Sequence, residues 1–351
     1  MNNYRKQALD DVMASGRRGL VLDNMPGAYG PGMDAGAASG LAFLVGELEK
    51  QDPRLLEPLT SITAPRDIDM KPGGGWVSIT SNVFVDYATT GNQEDSIIGS
   101  ETTNIPVSQA NITKDVFKVF TFSEILRVPL FDDLKLQQIG RSLTQILDDG
   151  LRLNHSKMID QNVYIGITKA GTTGLVNNTS VTTSLAAYNA AGTSRLWANK
   201  TPLEIMTDIN TIVTNTWANS EYSLDGMATD ILIPPDRFAY IANTPVTVAG
   251  TQSILNYLLT NNIAVQQGRP LNIKPSRWCG DSTYTPGTGS TFRMVAYVKA
   301  ENKLNMDMTV PLSRVLTAPS TSSASYETIY ASQFSQAKFL YTQCVEYLDG
   351  I

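Results

Sequence analysis

The chain has 351 residues, enough for one large domain or two closely linked ones around a sizeable core. It is 42% hydrophobic but only 17% charged, and its net charge of −6 argues against a general nucleic-acid binder. No run of about 18 apolar residues occurs, so nothing reads as a membrane span, and the opening MNNYRKQALDDVMASGRRG lacks the apolar segment of a secretory signal.

Residues 1–40 show no core pattern. The stretch Asn24 to Gly40 is rich in Gly, Ala and Pro and reads as an extended arm. Its glycines do not form GxGxxG and no strand precedes them, which argues against a phosphate loop. The start of the arm, residues 1–22, is locally cationic, because Arg5, Lys6, Arg17 and Arg18 outnumber Asp10 and Asp11 there. Residues 41–51 (LAFLVGELEKQ) have the spacing of a short amphipathic helix, stopped by Pro53. Residues 76–87 (WVSITSNVFVDY) alternate with period two. Val77, Ile79, Val83, Val85 and Tyr87 fall on one face, Ser78, Thr80, Asn82 and Asp86 on the other, with Trp76 and Phe84 as exceptions. Residues 112–122 (ITKDVFKVFTF) read as a second strand, and the polar stretch 88–111 as an irregular tip between the two. A two-stranded ribbon of this length, roughly 40 Å, is marginal alone in water and needs another surface to lie on. No neighbouring segment obviously supplies one.

After Pro129 the apolar positions Leu136, Ile139, Leu143, Ile146, Leu147, Leu151, Met158 and Ile159 recur at helical spacing, predicting one long helix over 132–164. Asp132 and Asp133 suit its start, and Gly140 and Gly150 weaken it or let it bend. Thr201, Pro202 and Glu204 form a capping-box start to a helix over 202–218. A buried strand at Asp230 to Ile233, a Pro-Pro turn into a short helix, a helix at Ser253 to Thr260 and strands near 271–275 and 292–298 follow. Residues 280–291 form a long polar turn, and Phe339 to Leu348 is extended again.

No constellation of catalytic residues converges, and neither a cofactor nor a metal is implied. His155 is the single histidine and lies in the long helix, where a structural or solvated role fits it better than that of a base without partners. Asp132-Asp133 and Asp148-Asp149 are adjacent on a helix and so point apart, as caps or solvated residues. Cys279 and Cys344 read as two ordinary thiols of a reducing cytoplasm; with one histidine they make no zinc site. Asn111, Asn177, Asn178 and Asn199 stand in N-x-S/T triplets that an Asn- and Thr-rich chain produces by chance. Trp76, Trp197, Trp217 and Trp278 are scattered, as packing residues are.

The order of these parts resembles the Hong Kong 97-type capsid fold of tailed-phage major capsid proteins, an α+β fold shared with encapsulins and the floor of herpesvirus capsids. LAFLVGELEKQDPRLLE, GTTGLVNN (171–178), ATDILIPPDRFAYIA (228–242) and the terminal EYLDGI also look like one capsid subfamily. The resemblance implies an N-terminal arm at 1–40, an E-loop at 73–122 and an axial domain at 201–317. The peripheral domain would be built from 41–72, 123–200 with a spine helix at 132–164, and 318–351. It implies a virion shell of hexamers and pentamers assembled in a host bacterial cytoplasm. The partners would be packaged double-stranded DNA, held by nonspecific contact with Arg5, Lys6, Arg17 and Arg18, and portal, scaffold and decoration proteins, with no membrane. The E-loop residues Trp76, Val77, Ile79, Val83, Val85, Tyr87, Glu94, Asp95 and Glu101 would meet a neighbouring subunit. The turn at 280–291, with Tyr284, Pro286 and Thr288, would form the axial tip, a place that 243–252 could also take. Some members of the fold join subunits by an isopeptide bond from an E-loop lysine. Here residues 73–113 contain no Lys or Arg, and Lys114 and Lys118 lie near the loop base, so a non-covalent shell is expected. An encapsulin-type compartment around an enzyme cargo, and an α/β enzyme or solute-binding protein, are the alternatives.

Overall fold

The computed structural model describes residues 60–90, 106–138, 142–247, 250, 252–280 and 292–351. In chain order they form α1 (Ala64–Asp67), β1 (Asp69–Pro72), β2 (Ile79–Thr90), β3 (Val107–Pro129), α2 (Leu130–Gln138) and α3 (Leu143–Ile165). Then come β4 (Thr182–Leu185), α4 (Pro202–Asn219), β5 (Asp230–Ile233), α5 (Pro235–Asn243), α6 (Ile254–Asn261), α7 (Ile263–Gln266) and β6 (Asn272–Pro275). The order closes with β7 (Arg293–Tyr297), β8 (Leu304–Met308), β9 (Val310–Ser320), β10 (Ser325–Ser335), β11 (Lys338–Phe339) and β12 (Val345–Asp349).

A five-stranded sheet of order β4-β12-β7-β5-β6 lies at the centre. Strand β5 is DILI, buried at every position. A continuous apolar run is what a strand covered on both faces requires. Ile231, Ile233, Met294, Ala296 and Leu348 pack with Ile205, Ile209, Ile212 and Val213 of α4. The alternate residues Leu232, Val295, Tyr297, Val345 and Tyr347 pack with Ile159, Val163 and Tyr164 of α3. This sheet joins β4 and β12 to β5, β6 and β7, so a division of the chain at 200/201 and 317/318 runs through one hydrogen-bonded unit. Arg293 and Asp349 form a buried bidentate pair across β7 and β12, at 2.7 and 2.8 Å.

The helix expected over 132–164 is two helices. Ser142 stands in extended backbone (φ −93°, ψ 116°) and its side chain accepts from Gln145 N, so α3 starts afresh there. Gly140 lies outside the described residues, and Gly150 sits inside α3. The capping box at Thr201 and Glu204 is formed as its residue types require.

The returning strand is longer than 112–122. Strand β3 runs for 23 residues, and its two halves have different partners. Val107 to Lys118 pairs antiparallel with β2; Val119 to Pro129 pairs antiparallel with β10. The ribbon therefore grows out of a four-stranded sheet of order β2-β3-β10-β9, and the chain itself supplies a support for the ribbon's base. Helix α3 covers that base through Leu126, Val128, Leu151 and Tyr330. The β9–β10 hairpin was not expected from the sequence. The final extended stretch is broken into β11, a 3-10 turn at Thr342–Cys344 and β12.

His155 lies between α3 and this sheet. It is 6% exposed, shares a hydrogen bond of 2.8 Å with Ser332 Oγ, and meets Phe122 edge-on at 5.2 Å between ring centroids. Burial lowers its pKa from the usual 6.5. The folded protein therefore binds this proton more weakly than the unfolded chain, and acid disfavours the fold. Urea unfolding of His155→Gln should become less destabilised than the native protein as pH falls from 6.5 towards the lowered value, with no divergence above 6.5. Parallel profiles through that window would rule out an acid-sensitive His155.

Candidate assembly surface

Cross-strand pairs of an antiparallel ladder point to the same face. The register of β2 with β3 sets Ile79 beside Lys118, Ser81 beside Val116, Val83 beside Lys114, Val85 beside Ile112 and Tyr87 beside Ala110. One face of the ribbon is thus an apolar stripe of Ile79, Val83, Val85, Tyr87, Ile112 and Val116, interrupted by Ser81 and Lys114 and with Lys118 at its base. Tyr87 is 81% exposed, Ile112 69% and Val83 62%. A stripe of this length left to water marks a contact surface. Phe84, on the opposite face, turns edge-on to Tyr341 at 6.0 Å. The alternation along 76–87 placed the apolar face, and within the subunit that face is left exposed.

Strand β2 begins at Ile79, so Trp76 and Val77 precede the ladder. Trp76 is exposed; Val77 is half-buried, and both its backbone groups are held by the Gln333 side chain. Glu94, Asp95 and Glu101 lie outside the described residues, as do the arm cations Arg5, Lys6, Arg17 and Arg18 and the turn residues Tyr284, Pro286 and Thr288. The structure adds Ile112 and Val116, which the sequence showed only as part of a strand; the register was the missing information. It also adds α2, none of whose residues is buried and whose Leu130, Phe131 and Leu134 are exposed.

Below the ribbon the body is fastened by a buried polar cluster. Asp160 of α3 accepts from Thr63 N at 2.7 Å, Ala64 N at 2.8 Å and Trp278 Nε1 at 2.9 Å, which caps the first turn of α1 from a distant helix. Tyr164 donates to Asp67 Oδ2 at 2.5 Å, and Arg66 pairs with Asp67. Burial pushes the Tyr164 pKa up, so its hydroxyl keeps the proton it donates. Trp197 donates to Asp208, which also pairs with buried Lys200. Trp197 and Trp278 are thus core residues with satisfied indole N–H groups.

Among the described residues, no group of three or more His, Cys, Asp or Glu side chains gathers to hold a metal, and no helix is long and apolar enough to cross a membrane. Asp132, Asp133 and Asp148 bond locally to Lys135, Gln137 and Arg152. Cys279 and Cys344 are buried free thiols, and burial pushes the Cys279 pKa up to about 12. Asn177 accepts from Gly174 N and donates to Ile165 O, a loop-building role.

A central mixed sheet, a long helix across it and a two-stranded ribbon projecting from a second sheet define the Hong Kong 97-type class of capsid subunit. The capsid of Myoviridae phage XM1 superposes with a TM-score of 0.72 at 16% identity, covering 87% of this chain and 98% of that one. Microbacterium phage Oxtober96 gives 0.56 at 11% identity over 86% and 92%, and Gordonia phage Cozz 0.54 at 13% over 94% and 98%. No curated protein matches the chain. The family model for major capsid protein matches residues 94–351, and the chain belongs to that family. Its role is that of a structural subunit of a bacteriophage capsid, built by self-association, and a cargo compartment of the encapsulin kind is not favoured.

Proposed function

We propose that the subunit closes into an icosahedral shell of hexamers and pentamers around the phage genome, held without covalent cross-links. The exposed apolar stripe on the ribbon carries this reading. It is a row of exposed apolar side chains on one face of the ribbon, and in a symmetric assembly its complement is on a second copy. The ribbon lies over the helical body of a neighbour. Apolar contacts dominate there, because exposed ion pairs from Lys114, Lys118 and the acidic residues Glu94, Asp95 and Glu101 add only ~0.2–1 kcal/mol each. Residues 1–40 act as an interior arm, with Arg5, Lys6, Arg17 and Arg18 drawn to DNA phosphates by a salt-sensitive attraction. The turn at 280–291 gathers at the five- and sixfold positions. Portal, scaffold and decoration proteins complete the particle, which assembles in the host cytoplasm.

Lys118 stands at the ribbon base and Lys114 four pairs further out, and residues 73–113 offer no amine nearer the tip. When intact particles are boiled in denaturant with reductant, the capsid subunit should run as a single band near 38.2 kDa on a gel. A ladder of covalent multimers would refute the non-covalent shell. Negative-stain microscopy with nucleic-acid measurement tests the whole reading: closed shells holding long DNA support it, and persistent monomers sink it.

A further inference from the structure

We infer that Gln333 is a positioning residue for assembly: its side-chain amide sets the angle at which the ribbon leaves the body, and Gly73 to Gly75 form the pivot it holds. The inference rests on the ribbon being the assembly element.

The β2–β3 ladder ends at the Ile79–Lys118 pair, with one further bond from Val119 N to Ser78 O at 3.4 Å. Before that point the chain has left β3. Gln333 stands on β10 opposite Thr121 and is 6% exposed. Its side chain reaches across the position of Thr121 to the departing strand. Nε2 donates to Val77 O at 2.6 Å and to Thr121 Oγ1 at 3.3 Å. Oε1 accepts from Val77 N at 3.0 Å and from Thr309 Oγ1 at 3.0 Å. Both donors and both acceptor positions of the amide are used. The pair of bonds to Val77 reproduces what another strand residue would offer, so a side chain extends the ladder where the backbone no longer does.

Immediately before this clamp, Gly73, Gly74 and Gly75 have φ of 109°, 115° and 69°. A Cβ at Gly73 or Gly75 would meet nothing within 4 Å. Space does not require glycine at those two positions; the backbone path does. On the far side, Gly73 N is bonded to Met308 O at 3.1 Å, which continues the β1–β8 pairing and fixes that end to the body. A run with glycine's freedom thus lies between a fixed end at β1 and a clamp at Val77. With the clamp open, β2 can swing on the glycines while β3 bends beside Val119. One sequence that fills several non-identical positions in a shell needs such an adjustable joint, with a preferred setting supplied by the amide.

Amide exchange on unassembled subunits, read by mass spectrometry, tests the joint. Gln333→Leu removes all four bonds, and Gln333→Asn keeps the amide but is one methylene too short to reach Val77. Both should raise exchange at Val77 to Phe84 about tenfold, as expected for the loss of one to two hydrogen bonds, and leave α4 unchanged. Particles formed from them should show a broader spread of diameters than native shells. Unchanged exchange at Val77 to Phe84 would overturn the inference, as would an equal rise throughout the subunit, which marks general destabilisation. Should Gln333→Leu fail to fold, Gln333→Asn decides alone. Because exchange is read before assembly, failure of native subunits to form shells would sink the proposed function without touching this result.

Discussion

Asp160→Ala should destabilise the isolated subunit by about 3–5 kcal/mol, since it strands several buried donors at once, each worth ~1–3 kcal/mol. Thr63 N, Ala64 N and Trp278 Nε1 all point at this carboxylate, and Asp160 is fully buried. Asp160→Asn should cost less. Its carbonyl oxygen can still accept from the two backbone amides, but its NH2 then faces the Trp278 N–H, donor against donor. Urea midpoints of unassembled subunits measure both. A loss within about 0.5 kcal/mol for the alanine variant, the range of an ordinary surface substitution, would show that the cluster holds nothing together.

Removing residues 88–111 should abolish shell formation and leave a soluble, folded subunit. The cut joins Tyr87 to Ile112, so Asp86 and Tyr87 become a two-residue turn closing on the Val85–Ile112 pair. The base of β3, paired with β10 from Val119 onward, is untouched. A less drastic variant, Val83→Asp with Tyr87→Asp, keeps the ribbon and charges its stripe, and should fail in the same way. Burying such side chains is worth roughly 1.5–3 kcal/mol each, repeated at every copy of the contact. Sedimentation separates subunits from shells, and circular dichroism reports the fold. Normal shells from the charged variant would show that the stripe faces solvent in the particle.

Local patterns were legible and long-range pairings were not. The capping box at Thr201 and Glu204, the DILI strand and the apolar alternation from Ile79 to Tyr87 are each written within a few residues. The fresh start of α3 was also written, in the capping residue Ser142, but the apolar spacing ran on across it and hid it. The extent of β3 could not be read, because Val119 to Pro129 is a strand by virtue of a partner two hundred residues later. Gln333 carried no signal at all: a glutamine in a strand looks like a solvated residue until the geometry places Val77 beside it. Likewise the aspartates at 67, 160 and 208 resemble helix-surface acids in sequence, and only the fold brings Tyr164, Trp278 and Lys200 to them.

Strand β12 has a consequence for the timing of folding. It lies inside the five-stranded sheet, hydrogen-bonded to β4 on one side and β7 on the other. Both neighbours leave the ribosome before it. Until residues 345–349 emerge, β4 has no partner in that sheet and Tyr347 and Leu348 are missing from the two cores they complete. A nascent chain can therefore present the ribbon, made early, on a body that cannot yet close. Chains stacked on one message meet as incomplete bodies with exposed stripes, the condition under which wrong associations form. The late central strand makes the emergence of residues 345–349 the gate to a competent subunit, and a variant lacking 345–349 should be aggregation-prone rather than merely unable to assemble.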